Sequence, residues 1–243
     1  MTTSLSQTFG AETVSPEERE RRIRHVFDVV APRYDLMNDV MSFGIHRLWK
    51  RVMAKAAAPA PGQVIVDLAG GTGDVARLLS GPNRRVVVCD PSVEMMAVGA
   101  KRQAGCAIEF IEGKAEAMPF ADNSVDTLTI AFGLRNATSP EAGLAEIYRV
   151  LKPGGRFLCL EFSRPWAVIR PFYDVFSFLV IPRLGAWIAR QPAAYTYLVE
   201  SIRRFPDQKE MAGLMDKAGF VQVGWRNLSA GIACLHSGVK RTS

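Results

Sequence analysis

The sequence predicts an α/β fold: a doubly wound, mostly parallel seven-stranded sheet closed by an antiparallel hairpin. Three observations predict it. The run Val64-Ile65-Val66-Asp67 leads into a glycine turn, Gly70-Gly71-Thr72-Gly73, and the turn opens a helix. From Gly62 onward, short apolar runs alternate with helical stretches, the pattern of strands buried between helices on both faces. The chain then ends in two apolar runs, Phe220–Trp225 and Gly231–His236, spaced to pair as a hairpin across Arg226–Ala230.

Taken in order, residues 1–14 read as a loose tail. The first 18 residues hold no Lys or Arg and no sustained apolar run, which argues against a secretory or transit segment. Ser15-Pro16-Glu17-Glu18 is a capping box with proline at the first helical position. The helix it opens sets Glu17 four residues before Arg21 and Glu18 four before Arg22. A second helix spans Gly44 to Ala58, ahead of Pro59. These N-terminal helices, 15–58, precede five strands expected near 64–68, 86–90, 108–112, 126–132 and 156–162. Helices are expected at 74–80, 92–103 and 140–151, and Lys152-Pro153-Gly154-Gly155 is a sharp turn before the fifth strand. A last helix, 207–218, leads into the hairpin. All of 15–243 reads as one domain.

An insert, 163–207, interrupts the alternation. It is rich in aromatic residues, and Phe172, Phe176, Leu179 and Val180 recur at helical spacing. It reads as an α-helical lid whose apolar face packs on the core, or as the wall of a greasy substrate pocket touching a bilayer surface. The two are compatible. Arg170, Asp174 and Arg183 break the run, and no apolar stretch approaches the ~20 residues of a membrane span.

Composition narrows the class. A chain of 243 residues with 48% hydrophobic and 22% charged residues can bury a sizeable core. A net charge of +6 permits attraction to anionic surfaces, though an ordinary solvated surface explains it as well. Cys89, Cys106, Cys159 and Cys234 form no Cys-x-x-Cys pair and read as reduced residues of a cytoplasmic protein. His25, His46 and His236 are scattered, so no zinc motif is present and no metal is expected.

The chemistry lies in the glycine turn and the loops beside it. Gly70, Gly71 and Gly73 let backbone approach a ligand that a side chain would exclude. A turn built for pyrophosphate wants open backbone donors and positive dipole. Asp67 puts negative charge there instead, which suits a cation such as the ammonium and sulfonium of S-adenosylmethionine. Asp90, 19 residues after Gly71, stands where an acid binds ribose hydroxyls; the alternative is a cap on the next helix, with Pro91 at its first position. Ligands of such sheets sit beyond the carboxyl ends of the strands. That places Glu112-Gly113-Lys114-Ala115 and Phe132-Gly133-Leu134-Arg135-Asn136 at the site. Arg135 and Asn136 read as catalytic; a surface ion pair and a helix cap before Pro140 are the plainer alternatives.

At this point the chain resembles the ubiquinone/menaquinone biosynthesis C-methyltransferases over roughly residues 22–238. The resemblance rests on Tyr34–Asp39, Met41–Lys50, Asp67–Asp74, Phe132–Asn136, Tyr148–Gly155, Leu160–Ser163, Glu200–Ile202 and Pro206–Gln208. It implies a class I, Rossmann-like methyltransferase that uses S-adenosylmethionine to methylate a ring carbon of a polyprenyl benzoquinol or a demethylmenaquinol. It also implies that Thr72 contacts the cofactor, that Asp90 holds the ribose, that Lys114 and Ala115 flank the adenine, and that Ala131 lies nearby. The chain departs from the family at Lys114, where a polar or acidic residue is usual, at Ala131, where serine is common, and at Arg190–Ala194, which lacks an acid. Arg135 is expected to stabilise an ionised ring hydroxyl, with Asn136 orienting it. Homodimerisation and docking in a quinone-biosynthesis complex stay open.

Other classes fit less well. After the fourth strand the chain reads Phe132-Gly133-Leu134-Arg135, not the Asn/Asp-Pro-Pro-aromatic tetrad of base amino-methylation, and no cysteine follows a proline as cytosine methylation favours. No nucleic-acid partner is expected. Asp67 and the terminal hairpin disfavour a nicotinamide oxidoreductase. The intact turn, with Asp90, Arg135 and Asn136, disfavours an inert assembly subunit.

Overall fold

The computed structural model describes residues 8–9, 12–31, 34–103, 105–171 and 192–242. Three helices come first: α1 (Pro16–Val30), α2 (Tyr34–Ser42) and α3 (Ile45–Ala57). Ser15 caps α1 by accepting from the Glu18 amide at 3.2 Å. Glu18 takes both Arg21 and Arg22, so the expected Glu17–Arg21 pair gives way to an i,i+3 contact from the neighbouring carboxylate. Nothing in the sequence reading anticipated α2, whose Asn38, Asp39 and Val40 are weak helix formers. It is set by its tertiary neighbours and by a tight Phe43–Gly44 corner, both residues at positive φ.

The strands are β1 (Val64–Leu68), β2 (Arg85–Asp90), β3 (Ile108–Glu112), β4 (Val125–Ala131), β5 (Leu151–Phe162), β6 (Phe220–Leu228) and β7 (Ala233–Lys240). They form one seven-stranded sheet in the order β3-β2-β1-β4-β5-β7-β6. The first five are parallel, while β7 runs antiparallel to both β5 and β6. The hairpin is longer than its apolar runs suggested, because pairing continues through Leu228 and out to Lys240. Lys152–Gly155 turns within β5: pairing steps from Val125↔Leu151 to Thr127↔Arg156.

The remaining described α-helices are α4 (Asp74–Leu79), α5 (Val93–Arg102), α6 (Pro140–Val150), α7 (Pro192–Arg204) and α8 (Gln208–Lys217). Alternation along the strands divides the core between two faces. Val66, Val87, Leu128 and Phe157 meet Leu144 and Ile147 of α6 and Met211 and Met215 of α8. On the other face, Ile65, Val86, Val88 and Leu158 meet Trp49 and Met53 of α3 and Leu79 of α4. Burial on both faces explains why these strands read as unbroken apolar runs.

Of the insert, Tyr197 and Phe205 are buried and Trp166 is exposed. The expected stripe of Phe172, Phe176, Leu179 and Val180 lies outside the described residues, as do Arg183 and Arg190. In the stretch read as a tail, Thr8–Phe9 pairs with Glu12–Thr13, and Phe9 stacks on Tyr197 at 4.8 Å between centroids. Cys89, Cys159 and Cys234 are buried free thiols on strands, and Cys106 is exposed. No helix among the described residues is long and apolar enough to cross a membrane.

Candidate active site

A cavity opens at the carboxyl ends of β1, β2, β3 and β4, roofed by α1 through Glu20, Ile23, Arg24 and Phe27. Of the residues read from the sequence, Asp67, Gly70, Gly71, Thr72, Asp90, Lys114, Ala115, Ala131 and Asn136 line it; Gly73 and Arg135 do not. Gly73 instead sits at the N-cap of α4, at φ +78.

The two acids are held differently. Asp90 receives the Gly71 amide on Oδ2 and the Ser92 amide on Oδ1, both at 2.8 Å. It is therefore not the cap of α5; Ser92 is, by accepting from the Met95 amide. Each Asp90 oxygen retains acceptor capacity beside the cavity. Burial pushes its carboxyl up to about 6 despite the two amides. Asp67 lies at the cavity floor, 1% exposed, taking the Ala76 amide on Oδ2 at 3.1 Å and the Thr129 hydroxyl on Oδ1 at 2.8 Å. Burial raises its carboxyl to about 7, with the Thr129 bond and the Lys50 charge opposing. Backbone passes so close that a Cβ at Gly70 would lie 2.7 Å from Asp67 Oδ2. Thr72 donates to Asp35 of α2 at 3.3 Å, and Asp35 is paired with Arg102.

At the β3 side of the cavity, Lys114 Nζ pairs with Glu20 of α1 at 3.1 Å. A lysine cannot accept a hydrogen bond. The Glu20 carboxylate, which also lines the cavity, brings acceptor oxygens to that wall.

The loop after β4 departs from expectation. Its Leu134–Asn136 stretch is a 3₁₀ turn with Arg135 buried. The Arg135 guanidinium turns behind the loop, 3.0 Å from Glu161 Oε2, donating also to the Phe132 carbonyl and lying over the Phe162 ring. Glu161, 1% exposed, is its counterion, and burial makes that pairing obligatory. Arg135 therefore forms a buried ion pair and is not among the residues lining the cavity. Asn136 does face the cavity, its Oδ1 accepting from the Tyr197 hydroxyl at 3.0 Å. Ser139, not Asn136, caps α6.

Lys50, which lines the cavity, and Arg19, Glu161 and Tyr197, which hold the loop after β4, were not singled out from the sequence as site residues. Arg19 is 1% exposed and donates to the carbonyls of Arg135, Asn136 and Ala137 at 3.1–3.2 Å, fixing the loop to α1. One arginine among several in a helix rich in Glu and Arg carries no local signal. Lys50 and Glu161 fall within the stretches carrying the family resemblance, the one hint available.

An acid at each of two adjacent strand ends, a glycine turn between them and a β3-β2-β1-β4-β5-β7-β6 order define a class I methyltransferase. Solved structures agree on the fold. A SAM-dependent methyltransferase from Thermotoga maritima superposes with a TM-score of 0.65 at 22% identity, covering 90% of this chain and 100% of that one. The [4+2]-cyclase SpnF superposes at 0.68 with 15% identity, covering 92% and 97%. The chain belongs to the ubiE/COQ5 methyltransferase family, whose model matches residues 15–240. It is 63% identical to the ubiquinone/menaquinone biosynthesis C-methyltransferase UbiE of Rubrivivax gelatinosus, over 98% of this chain and 94% of that protein. The protein of the same name from Acidiphilium cryptum is 49% identical, over 98% of each.

Proposed function

We propose that this chain transfers a methyl group from S-adenosylmethionine to a ring carbon of a polyprenyl quinol. The acceptor is a benzoquinol of the ubiquinone pathway, a demethylmenaquinol of the menaquinone pathway, or both. One observation carries the reading: a cavity with two buried acids beside a glycine turn, faced by the apolar Phe132 and the single amide of Asn136. When bound, the cofactor supplies a methyl already activated on a sulfonium.

The donor set fits that cofactor. Asp90 offers acceptor oxygens to ribose hydroxyls, and its amide bonds fix their direction. Asp67 sets negative charge under the cationic part, where low dielectric strengthens the attraction. Thr72 and the turn backbone at Gly70 and Gly71 give close contact, Lys114, Ala115 and Glu20 wall the base side, and Ala131 lies at the β4 end of the cavity.

On the acceptor side, Asn136 orients a ring hydroxyl, and Tyr197 fixes the amide by donating to its Oδ1. Arg135 is a positioning residue: with Glu161 it holds the Phe132 carbonyl and so the loop that presents Asn136. Holding ring carbon and methyl in line supplies much of the rate. The enzyme works in the cytoplasm, meeting its lipid substrate at the inner face of the membrane; its free thiols suit a reducing compartment.

The test incubates the purified chain with methyl-labelled S-adenosylmethionine and a chemically reduced benzoquinol or demethylmenaquinol. Label in the ring is expected. Cells lacking the protein should accumulate a quinone one methyl short. A cofactor-binding protein that labels neither quinol would overturn the reading.

A further inference from the structure

The cavity holds one cation that no step above uses. Lys50, on α3, is 9% exposed and lines the cavity at the end of the glycine turn. Burying an ammonium is costly unless it is paired. Its hydrogen-bonded partner among the described residues is Asp74 Oδ2 at 3.4 Å, at the long limit of a hydrogen bond, Asp74 itself stays partly exposed, and the Asp67 carboxyl lies within range of the Lys50 charge without bonding it. An ammonium has three donors, so Lys50 keeps capacity for a second anion.

The strand order says which anion. Lys114 follows β3, Asp90 ends β2, the glycine turn follows β1, and Asn136 follows β4. A ligand gripped at its ribose by Asp90 must send its reactive methyl toward the Asn136 loop. Its amino-acid portion then falls at the β1 and β4 side and its base at the β3 side. S-adenosylmethionine carries a carboxylate on that amino-acid portion. The other cations lining the cavity among the described residues, Arg24 and Lys114, lie at the base side, and both pair with Glu20.

We propose that the Lys50 ammonium is the binding group for the α-carboxylate of S-adenosylmethionine, with Asp74 holding the ammonium in place. This rests on the cofactor assigned above. It makes α3 part of the cofactor site, although α3 precedes the whole sheet in sequence.

The test compares S-adenosylmethionine with its decarboxylated form by titration calorimetry on the full chain. Wild type should bind the carboxylate-bearing form more tightly. Lys50→Met should lose about ten- to hundredfold in affinity for S-adenosylmethionine and little for the decarboxylated form, the scale of one charge-assisted hydrogen bond. Lys50→Arg should recover most of the loss, and it serves as the reading should Lys50→Met fail to fold. Equal loss for both ligands, a carboxylate-specific loss in Lys114→Met instead, or lower turnover with unchanged binding of both would overturn the assignment. If wild type binds neither ligand, the cofactor reading itself fails.

Discussion

The turn after β1 and the loop after β4 leave the carboxyl ends of neighbouring parallel strands, yet they use charge in opposite ways. At the turn, Asp67 and the nearby Asp90 are buried and face the cavity, with carboxyls raised by burial. At the loop, the one charged residue is turned inward and neutralised by Glu161, leaving an amide to face the cavity. The two segments touch: a Cβ at Gly133 would lie 2.5 Å from the Ala69 Cβ. One wall attracts a cation; the other positions a neutral, apolar ring. The comparison teaches that position at a strand end fixes which loop serves the site, not which side chain of that loop reaches it.

The largest test breaks the loop. Glu161→Ala strands the Arg135 guanidinium in a buried setting and should cost about 3–5 kcal/mol. At this chain length the melting temperature should fall on the order of 10 °C. The double change Arg135→Met, Glu161→Met removes both charges and should melt close to wild type. Its turnover should fall with cofactor affinity intact, because the loop that presents Asn136 loses its hold on the Phe132 carbonyl; full turnover in the double variant would show that Arg135 does not position that loop for the reaction.

A smaller loss is expected at the other wall. Asp90→Ala removes the acceptor for the Gly71 and Ser92 amides and for the ribose, so cofactor affinity should drop about ten- to hundredfold by calorimetry. Turnover at saturating cofactor should change far less.

The third test uses pH. Asp67 at about 7 and Asp90 at about 6 hold protons in the free enzyme that a cationic ligand displaces. Affinity for S-adenosylmethionine should be flat above about pH 8. It should then fall, approaching about tenfold per unit below the Asp67 value, with proton release seen as a buffer-dependent binding enthalpy. Lys50 and the Thr129 hydroxyl face Asp67 and both favour its charged form, so Lys50→Met should move the onset upward. Asn136 does not titrate, so the quinol KM should stay level over the same window.

The smallest effect belongs to Tyr197→Phe. It removes one hydrogen bond to Asn136 and should raise the quinol KM by a few-fold, about 1 kcal/mol, with cofactor affinity unchanged.

Most of the fold was legible because apolar runs and turn residues are local signals. Strand β3, Ile108–Glu112, matches its expected bounds, and the capped start of α1 at Ser15 follows from its Ser-Pro pair, whereas α6 is capped by Ser139 and not by the Asn136 offered for that role. Helix α2 was not legible, because Tyr34–Ser42 has little intrinsic preference and depends on its neighbours. At the cavity, Gly70, Gly71 and Asp90 were readable from spacing, whereas Gly73 caps α4 instead. Arg19 was not: its carbonyl partners lie 116–118 residues away.

The sequence by itself determined the order of elements, the glycine turn and the end of the sheet at which a ligand must sit. Those follow from backbone preference and apolar periodicity, which act over a few residues. Only the tertiary structure decided where the charges point. A buried charge must find a counterion, and Arg135 finds Glu161 across 26 residues of chain while Lys50 is carried into the cavity by α3. Burial and long-range pairing make that choice, and neither is written in the spacing of neighbouring residues.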